Sequence, residues 1–300
     1  MYVILGASGN TGRVAATTLL ENGANVRVVG RSAQRLKTLT TKGAEAFAAD
    51  VTDSAALTQA FTGARAVYAM VPPDIANPDV LAHYRRVSDS ITAAVKAAGV
   101  KHVVSLSSIG AEKADKTGPI LGLHYLEQQL NEIDGLNVLH LRAGYFMENT
   151  LGQIGPIQQL GIAVGPVDAE LKLPLIATSD IGVAAANALL KLDFSGKQVR
   201  ELQGQRDINY NEVAGIIGNA IGKSDLHYLR APDAQVRPAL LQMGMSASMA
   251  DLLLELSASL NTGYIRFLEP RSAQTTTPTS YETFVKTEFV PLFQGKQAVA

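Results

Sequence analysis

The chain has 300 residues, 47% of them hydrophobic and 18% charged, which is enough to bury one large core, or one core and a smaller lobe. It contains no cysteine, which excludes disulfides, thiolate catalysis and cysteine-ligated metal, and its five histidines show no paired spacing, so no metal site is expected. A net charge of −1, with Lys and Arg scattered singly, leaves no electrostatic footprint for direct nucleic-acid binding.

Up to about residue 142 the chain alternates. Short apolar runs occur at 2–6 (YVILG), 24–30 (ANVRVVG), 44–50 (AEAFAAD), 64–71 (ARAVYAMV), 100–108 (VKHVVSLSS) and 136–142 (LNVLHLR). They are rich in Val, Ile and Leu and lack polar alternation, as strands covered on both faces should. Between them, helical patterns run over about 11–22, 32–42, 53–62, 80–98 and 119–134. This predicts an α/β fold with a doubly wound parallel sheet and right-handed crossovers. From about 150 the pattern loosens. One more strand is expected near 199–203 (VRELQ), a mainly helical stretch over 209–260, and a Thr-rich loop at 274–280 leading to a last helix at 281–289. The expected organisation is a dinucleotide-binding domain over 1–150 and a smaller substrate lobe over 151–300, interleaved with the sheet domain. No run of eighteen apolar residues occurs, and no basic region precedes the first strand-like run. A soluble cytoplasmic protein without membrane attachment is therefore expected.

The first strand runs into "GASGNTGR", with Gly6, Gly9 and Gly12 at spacings of three and Ser8, Asn10 and Thr11 between them. A glycine turn between a strand and a helix lets backbone approach a pyrophosphate, which the N–H groups of the helix start then bind. At the end of the second strand, where an acid would select NAD through the ribose 2′-hydroxyl, stand Arg31 and, one helical turn on, Arg35. Arginine accommodates a 2′-phosphate, so NADP(H) is the expected cofactor. Asp50, with Val51 beside it, is placed to meet the adenine, and Asp53 reads as a helix cap.

Taken in order, "YVILGASGNTGR", "VRVVGRSAQRL", "AADVTD", "VYAMVPP", "VVSLSSIGAE" and "LRAGYFMEN" resemble the NmrA-like branch of the atypical short-chain dehydrogenase/reductase family. The resemblance is close over the first 150 residues and looser beyond, including "YETFVKTEF". It implies a Rossmann domain with a small, mainly helical C-terminal substrate lobe and a preference for NADP(H). It also implies that Val71 and Pro72 lie against the dinucleotide, that Tyr145 and Phe146 lie near the nicotinamide, and that Phe146 and Asn149 face the substrate. The branch contains reductases of quinones and related aromatic compounds as well as redox-sensing regulators, so fold alone does not choose between them.

Catalytic residues are less legible. The Tyr-x-x-x-Lys pair of ordinary short-chain dehydrogenases has its nearest counterpart in Tyr125 and Gln129, and glutamine cannot lower a tyrosine pKa. Ser107, which is also expected among the cofactor contacts, and Ser108 are candidates for a serine that orients a carbonyl. In the NmrA-like register, counting back from Arg142, the position often occupied by lysine falls on His124, which can donate a proton near neutral pH. His124 is preferred to Tyr125 as the acid. Met243, with Met245 and Met249, is a candidate lining of an apolar substrate pocket. The sequence is read as an NADPH-dependent reductase of a small apolar electrophile such as a quinone, enone or aromatic carbonyl. The alternative is an NADP(H)-sensing regulator acting through a protein partner.

Overall fold

The computed structural model describes residues 1–295. The chain opens with β1 (Tyr2–Ile4), α1 (Asn10–Glu21), β2 (Val26–Gly30), α2 (Ala33–Thr41), β3 (Glu45–Ala48), α3 (Ser54–Phe61), β4 (Ala66–Ala69), α4 (Val80–Ala97), β5 (His102–Ser108), α5 (Ile120–Asn131) and β6 (Asn137–Ala143). It continues through β7 (Tyr145–Phe146), a 3-10 turn (Met147–Gln153), α6 (Ile154–Leu160), β8 (Ala163–Gly165), β9 (Leu173–Ile176), α7 (Thr178–Lys191) and β10 (Lys197–Leu202). The last part holds β11 (Asp207–Ile208), α8 (Tyr210–Ile221), β12 (Tyr228–Arg230), α9 (Asp233–Gln242), α10 (Ala247–Asn261), α11 (Tyr281–Phe284), a π-helical turn (Val285–Phe289) and α12 (Val290–Phe293).

Seven strands form one sheet in the order β10-β6-β5-β4-β1-β2-β3. Every pairing in it is parallel. The order reverses between β1 and β4, which opens a crevice beyond the carboxyl ends of the strands. Helices cover both faces: Ala15, Leu19, Leu36, Ile181, Ala185 and Leu189 pack on one, and Leu57, Phe61, Val87, Ile91, Leu126 and Leu130 on the other. Several helices start at side-chain caps. Asp53 accepts from the Ala56 N–H and Asp79 from the Ala82 N–H, and Asn209 with Glu212 forms a reciprocal capping box.

Residues past 150 return to this sheet. Helix α7 lies on α1, and the approach is close because position 182 is glycine: a Cβ there would sit 2.6 Å from Val14 Cβ and 2.7 Å from the Thr11 carbonyl. Strand β10, the strand expected near 199–203, then adds beside β6. The remaining C-terminal elements surround a separate core that includes Met147, Leu175, Tyr210, Ile217, Tyr228, Tyr281 and Phe289. The stretch 209–260 is mainly helical, as expected, with the three-residue β12 inserted; one expectation needs correction, since the last helix does not stop at 289 but continues, through its π-helical turn, to Phe293.

Candidate functional site

The carboxyl edge of the sheet presents, in spatial order, the ends of β3, β2, β1, β4, β5 and β6. At the end of β1, Gly6 has φ +61°, and a Cβ on it would meet Met70 Sδ at 2.6 Å. A Cβ on Gly12 would lie 2.4 Å from the Gly6 carbonyl oxygen. These two glycines are required by the turn itself. Gly9 is different: a Cβ there meets only the Gly6 carbonyl, at 3.3 Å, and the residue is exposed. It is also the N-cap of α1 and provides no side-chain partner for the first-turn N–H groups. Ser8 and Asn10 are exposed beside it, whereas the Thr11 hydroxyl is buried and accepts from the Tyr68 hydroxyl at 2.9 Å. Thr11 therefore ties α1 to β4.

At the ends of β2 and β3 stand two arginines and a carboxylate. Arg31 and Arg35 are exposed, and neither enters an ion pair among the described residues. Asp50 accepts from the Thr52 N–H at 2.8 Å and the Thr52 hydroxyl at 2.7 Å, and these bonds, with the nearby Arg31, hold its carboxyl below the usual range. Val51 packs against the apolar core next to it. An uncapped helix start for a pyrophosphate and two free guanidiniums beyond the second strand fit NADP(H).

On the other side of the turn, past Met70, lies a cavity of about 440 Å³. Its wall takes Val71 and Pro73 from the end of β4, Ser107 and Ser108 from β5, and Tyr145, Phe146 and Asn149 from the segment after β6. The lobe closes it with Met245 and with Met249, Leu253, Leu256 and Leu260, which recur at helical spacing on one face of α10. The wall is overwhelmingly apolar.

Several expected residues fall elsewhere. Met243 is 59% exposed at the end of α9, outside the cavity, and the two methionines after it form the lining instead. Pro72 is half-buried, but its neighbours Val71 and Pro73 reach the wall. Helix α5 gives the cavity Ile120 and Leu123, and neither His124 nor Tyr125 is part of the wall. His124 holds its Nδ1 at 2.8 Å from the Ala111 carbonyl, and the Tyr125 hydroxyl donates to Asp89 on α4 at 2.8 Å. A 3.6-residue turn that aims Ile120 and Leu123 at the cavity necessarily turns Tyr125 away.

Beneath Ser107 lies an ion pair that the sequence reading did not anticipate. Glu127 is 3% exposed and accepts from Arg142 Nε at 2.9 Å, from Arg142 Nη2 at 2.6 Å and from the Ser107 hydroxyl at 2.5 Å. Burial raises the Glu127 pKa, but Arg142, His140 and the Ser107 bond outweigh it and keep the carboxyl below its ordinary value. The Ser107 proton is thus committed to a carboxylate, and toward the cavity Ser107 can only accept. It cannot donate to a substrate carbonyl, contrary to the role considered for it. A signal was present: Leu123, Leu126, Glu127 and Leu130 fall on one helical stripe, so an acid among buried leucines required a buried cation.

With this geometry established, comparison with known proteins identifies the family. The NmrA-like family model matches residues 2–284. The chain belongs to the NmrA-like family. An NAD(P)H azoreductase of Xenophilus azovorans is 28% identical to this NmrA-like chain over 267 residues, covering 88% of the chain and 89% of the relative. Among solved structures, the NADPH-dependent quinone oxidoreductase of Escherichia coli in complex with NADPH superposes with a TM-score of 0.75 at 22% identity, over 100% of this chain and 96% of that one. A triphenylmethane reductase of Citrobacter sp. complexed with NADP(H) gives a TM-score of 0.75 at 16% identity, over 95% and 99%. Among the described residues of the NmrA-like chain, no helix is long and apolar enough to cross a membrane.

Proposed function

We propose that this NmrA-like protein is an NADPH-dependent reductase of a small apolar electrophile, a quinone, enone or aromatic carbonyl. The observation that carries this reading is the placement of the apolar cavity, which meets the glycine turn at Met70 and opens along β5 and β6. A dinucleotide laid on the turn with its adenosine toward Arg31 and Asp50 extends its other end into that cavity. When bound, the cofactor supplies hydride; the chain binds the phosphates, excludes water and positions the acceptor. The NAD(P)H-dependent activity of a relative that covers nearly the whole chain supports the same reading.

The test is NADPH absorbance in the presence of quinones, enones and aromatic aldehydes. A rate that saturates with acceptor, and reduced acceptor in stoichiometric amount, is expected. If NADPH binds but no acceptor is reduced, the protein is a cofactor sensor, and its affinity for a cellular protein partner should then change between oxidised and reduced cofactor.

A further inference from the structure

Ser107 and Ser108 end β5 at the cavity, and successive side chains of a strand leave the sheet on opposite faces. Ser107 shares the face of Val103, which packs in one cluster with Tyr84 of α4, Leu123 of α5 and Met249 of α10. Those three residues line the cavity. From that face the Ser107 hydroxyl also reaches Glu127, one helical turn beyond Leu123, at 2.5 Å. Past its Cβ a serine presents a single oxygen atom, so this oxygen stands between the buried carboxylate and the cavity.

The direction of the Ser107–Glu127 hydrogen bond follows from what else Glu127 holds. Its Oε1 accepts from Arg142 Nε at 2.9 Å and its Oε2 from Arg142 Nη2 at 2.6 Å, a two-pronged contact made by an ionised carboxyl with no proton to give. Ser107 must therefore donate its one proton to Glu127. Its oxygen has no other hydrogen-bond partner among the described residues, and the cavity wall contains no Lys, Arg or His that could supply one. What Ser107 has left for a ligand is a lone pair. A lone pair pairs with an N–H or O–H and repels a carbonyl oxygen, so one point on an otherwise apolar wall distinguishes the two.

We propose that Ser107 is a specificity-determining hydrogen-bond acceptor in the cavity, with Glu127 as the positioning residue that holds its proton away, so that a ligand must present an N–H or O–H at this point. Two groups carry such a donor: the carboxamide of the nicotinamide, and a hydroxyl or amino group on the acceptor molecule. The proposal rests on the reductase reading above for the presence of both in the cavity. Its test is a binding measurement and needs no turnover. The serine that orients a substrate carbonyl by donating to it is replaced here by one that can only receive.

The experiment is calorimetry on the unmodified protein and on Ser107→Ala, with two pairs of probes. One pair is 2-naphthol and 2-naphthaldehyde, added to protein saturated with NADP⁺: the first presents an O–H, the second only a carbonyl. The other is NADPH and its 3-acetylpyridine analogue, whose acetyl group keeps the carbonyl of the carboxamide and lacks its N–H. If the donor belongs to the acceptor molecule, Ser107→Ala should weaken 2-naphthol by about fivefold or more, leave 2-naphthaldehyde equal or tighter, and leave the cofactor pair unchanged. If the donor is the carboxamide, the unmodified protein should prefer NADPH to the analogue by about fivefold or more, and Ser107→Ala should remove that preference alone. Either result supports the proposal and names the donor. Ser107→Cys, which keeps the shape of the side chain with a weakly accepting sulfur, should behave as Ser107→Ala does. Retention of both preferences in Ser107→Cys would make the effect one of shape and overturn the proposal. A greater loss for 2-naphthaldehyde than for 2-naphthol would show that Ser107 donates, and would overturn it too, as would no shift in either pair. A shift in either pair in a protein that reduces no acceptor would sink the reductase reading and leave the role of Ser107 standing.

Discussion

Arg31 and Arg35 stand exposed at the end of β2, and no carboxylate pairs with them among the described residues. A 2′-phosphate would meet two guanidiniums whose fork geometry suits it. Calorimetry should therefore show NADPH binding at least about tenfold tighter than NADH, equivalent to ~1.4 kcal/mol, and Arg31→Asp should reverse the order. Equal affinities in the unmodified protein would remove the 2′-phosphate from this position. The glycines allow a second test at the same scale. Gly9→Val leaves the turn intact apart from a few tenths of an ångström at the Gly6 carbonyl, but fills the space a pyrophosphate would take. It should abolish NADPH binding while the circular-dichroism spectrum and melting temperature stay near those of the unmodified protein. Gly12→Val, by contrast, drives a side chain into backbone and should unfold the turn and lower the melting temperature.

At the level of elements, α5 and α10 divide the work. Helix α5 carries Glu127 to Arg142 on β6 and so locks the helix to the strand under Ser107. Removing the carboxylate leaves a buried guanidinium whose one remaining ion-pair partner among the described residues is Glu112, at 3.4 Å. Glu127→Ala should therefore cost about 3–5 kcal/mol in denaturant unfolding. A cost below about 1 kcal/mol would mean that water replaces the carboxylate and that the site is not sealed. Helix α10 turns Met249, Leu253, Leu256 and Leu260 toward the cavity. Leu256→Trp should fill part of that volume, raising KM for the acceptor several-fold while the NADPH dissociation constant is unchanged. A change confined to NADPH affinity would show that the cofactor, and not the acceptor, occupies this wall.

Over the whole molecule, stability should depend on pH through His140, which is 1% exposed and held between the Ser105 hydroxyl at 2.6 Å and Asn131 at 3.0 Å. Burial pushes its pKa from 6.5 down to about 4, against the pull of Glu127. The unfolded chain then binds a proton that the native chain refuses, so stability is complete above pH 6.5 and is lost as pH falls toward 4. The full effect is about 3 kcal/mol. His102, also depressed by burial, acts in the same direction, and Glu148, raised by burial, acts against it. Melting temperatures measured between pH 7 and 4.5 should fall for the unmodified protein and fall less for His140→Gln; parallel curves would show that His140 is protonated in the native state.

Much of this protein was legible in order along the chain. The strand-helix alternation, the glycine turn, the two arginines and the Asp53 cap depend on residues within a few positions of one another, and local sequence carries such information directly. The short strands β7, β8, β9, β11 and β12 were not legible, because two to four residues are too few to establish a period and each forms only against a partner distant in the chain. The substrate side of the site was hidden for the same reason. Tyr145 joins Tyr210, 65 positions further along the chain, only because both pack into the C-terminal core, and Ser107 loses its proton to Glu127 only because β5 and α5 face each other. Residue types and spacing determined where a dinucleotide would lie; which hydroxyl could give a proton was decided by tertiary packing, since a hydroxyl's chemistry depends on the partners that packing brings to it.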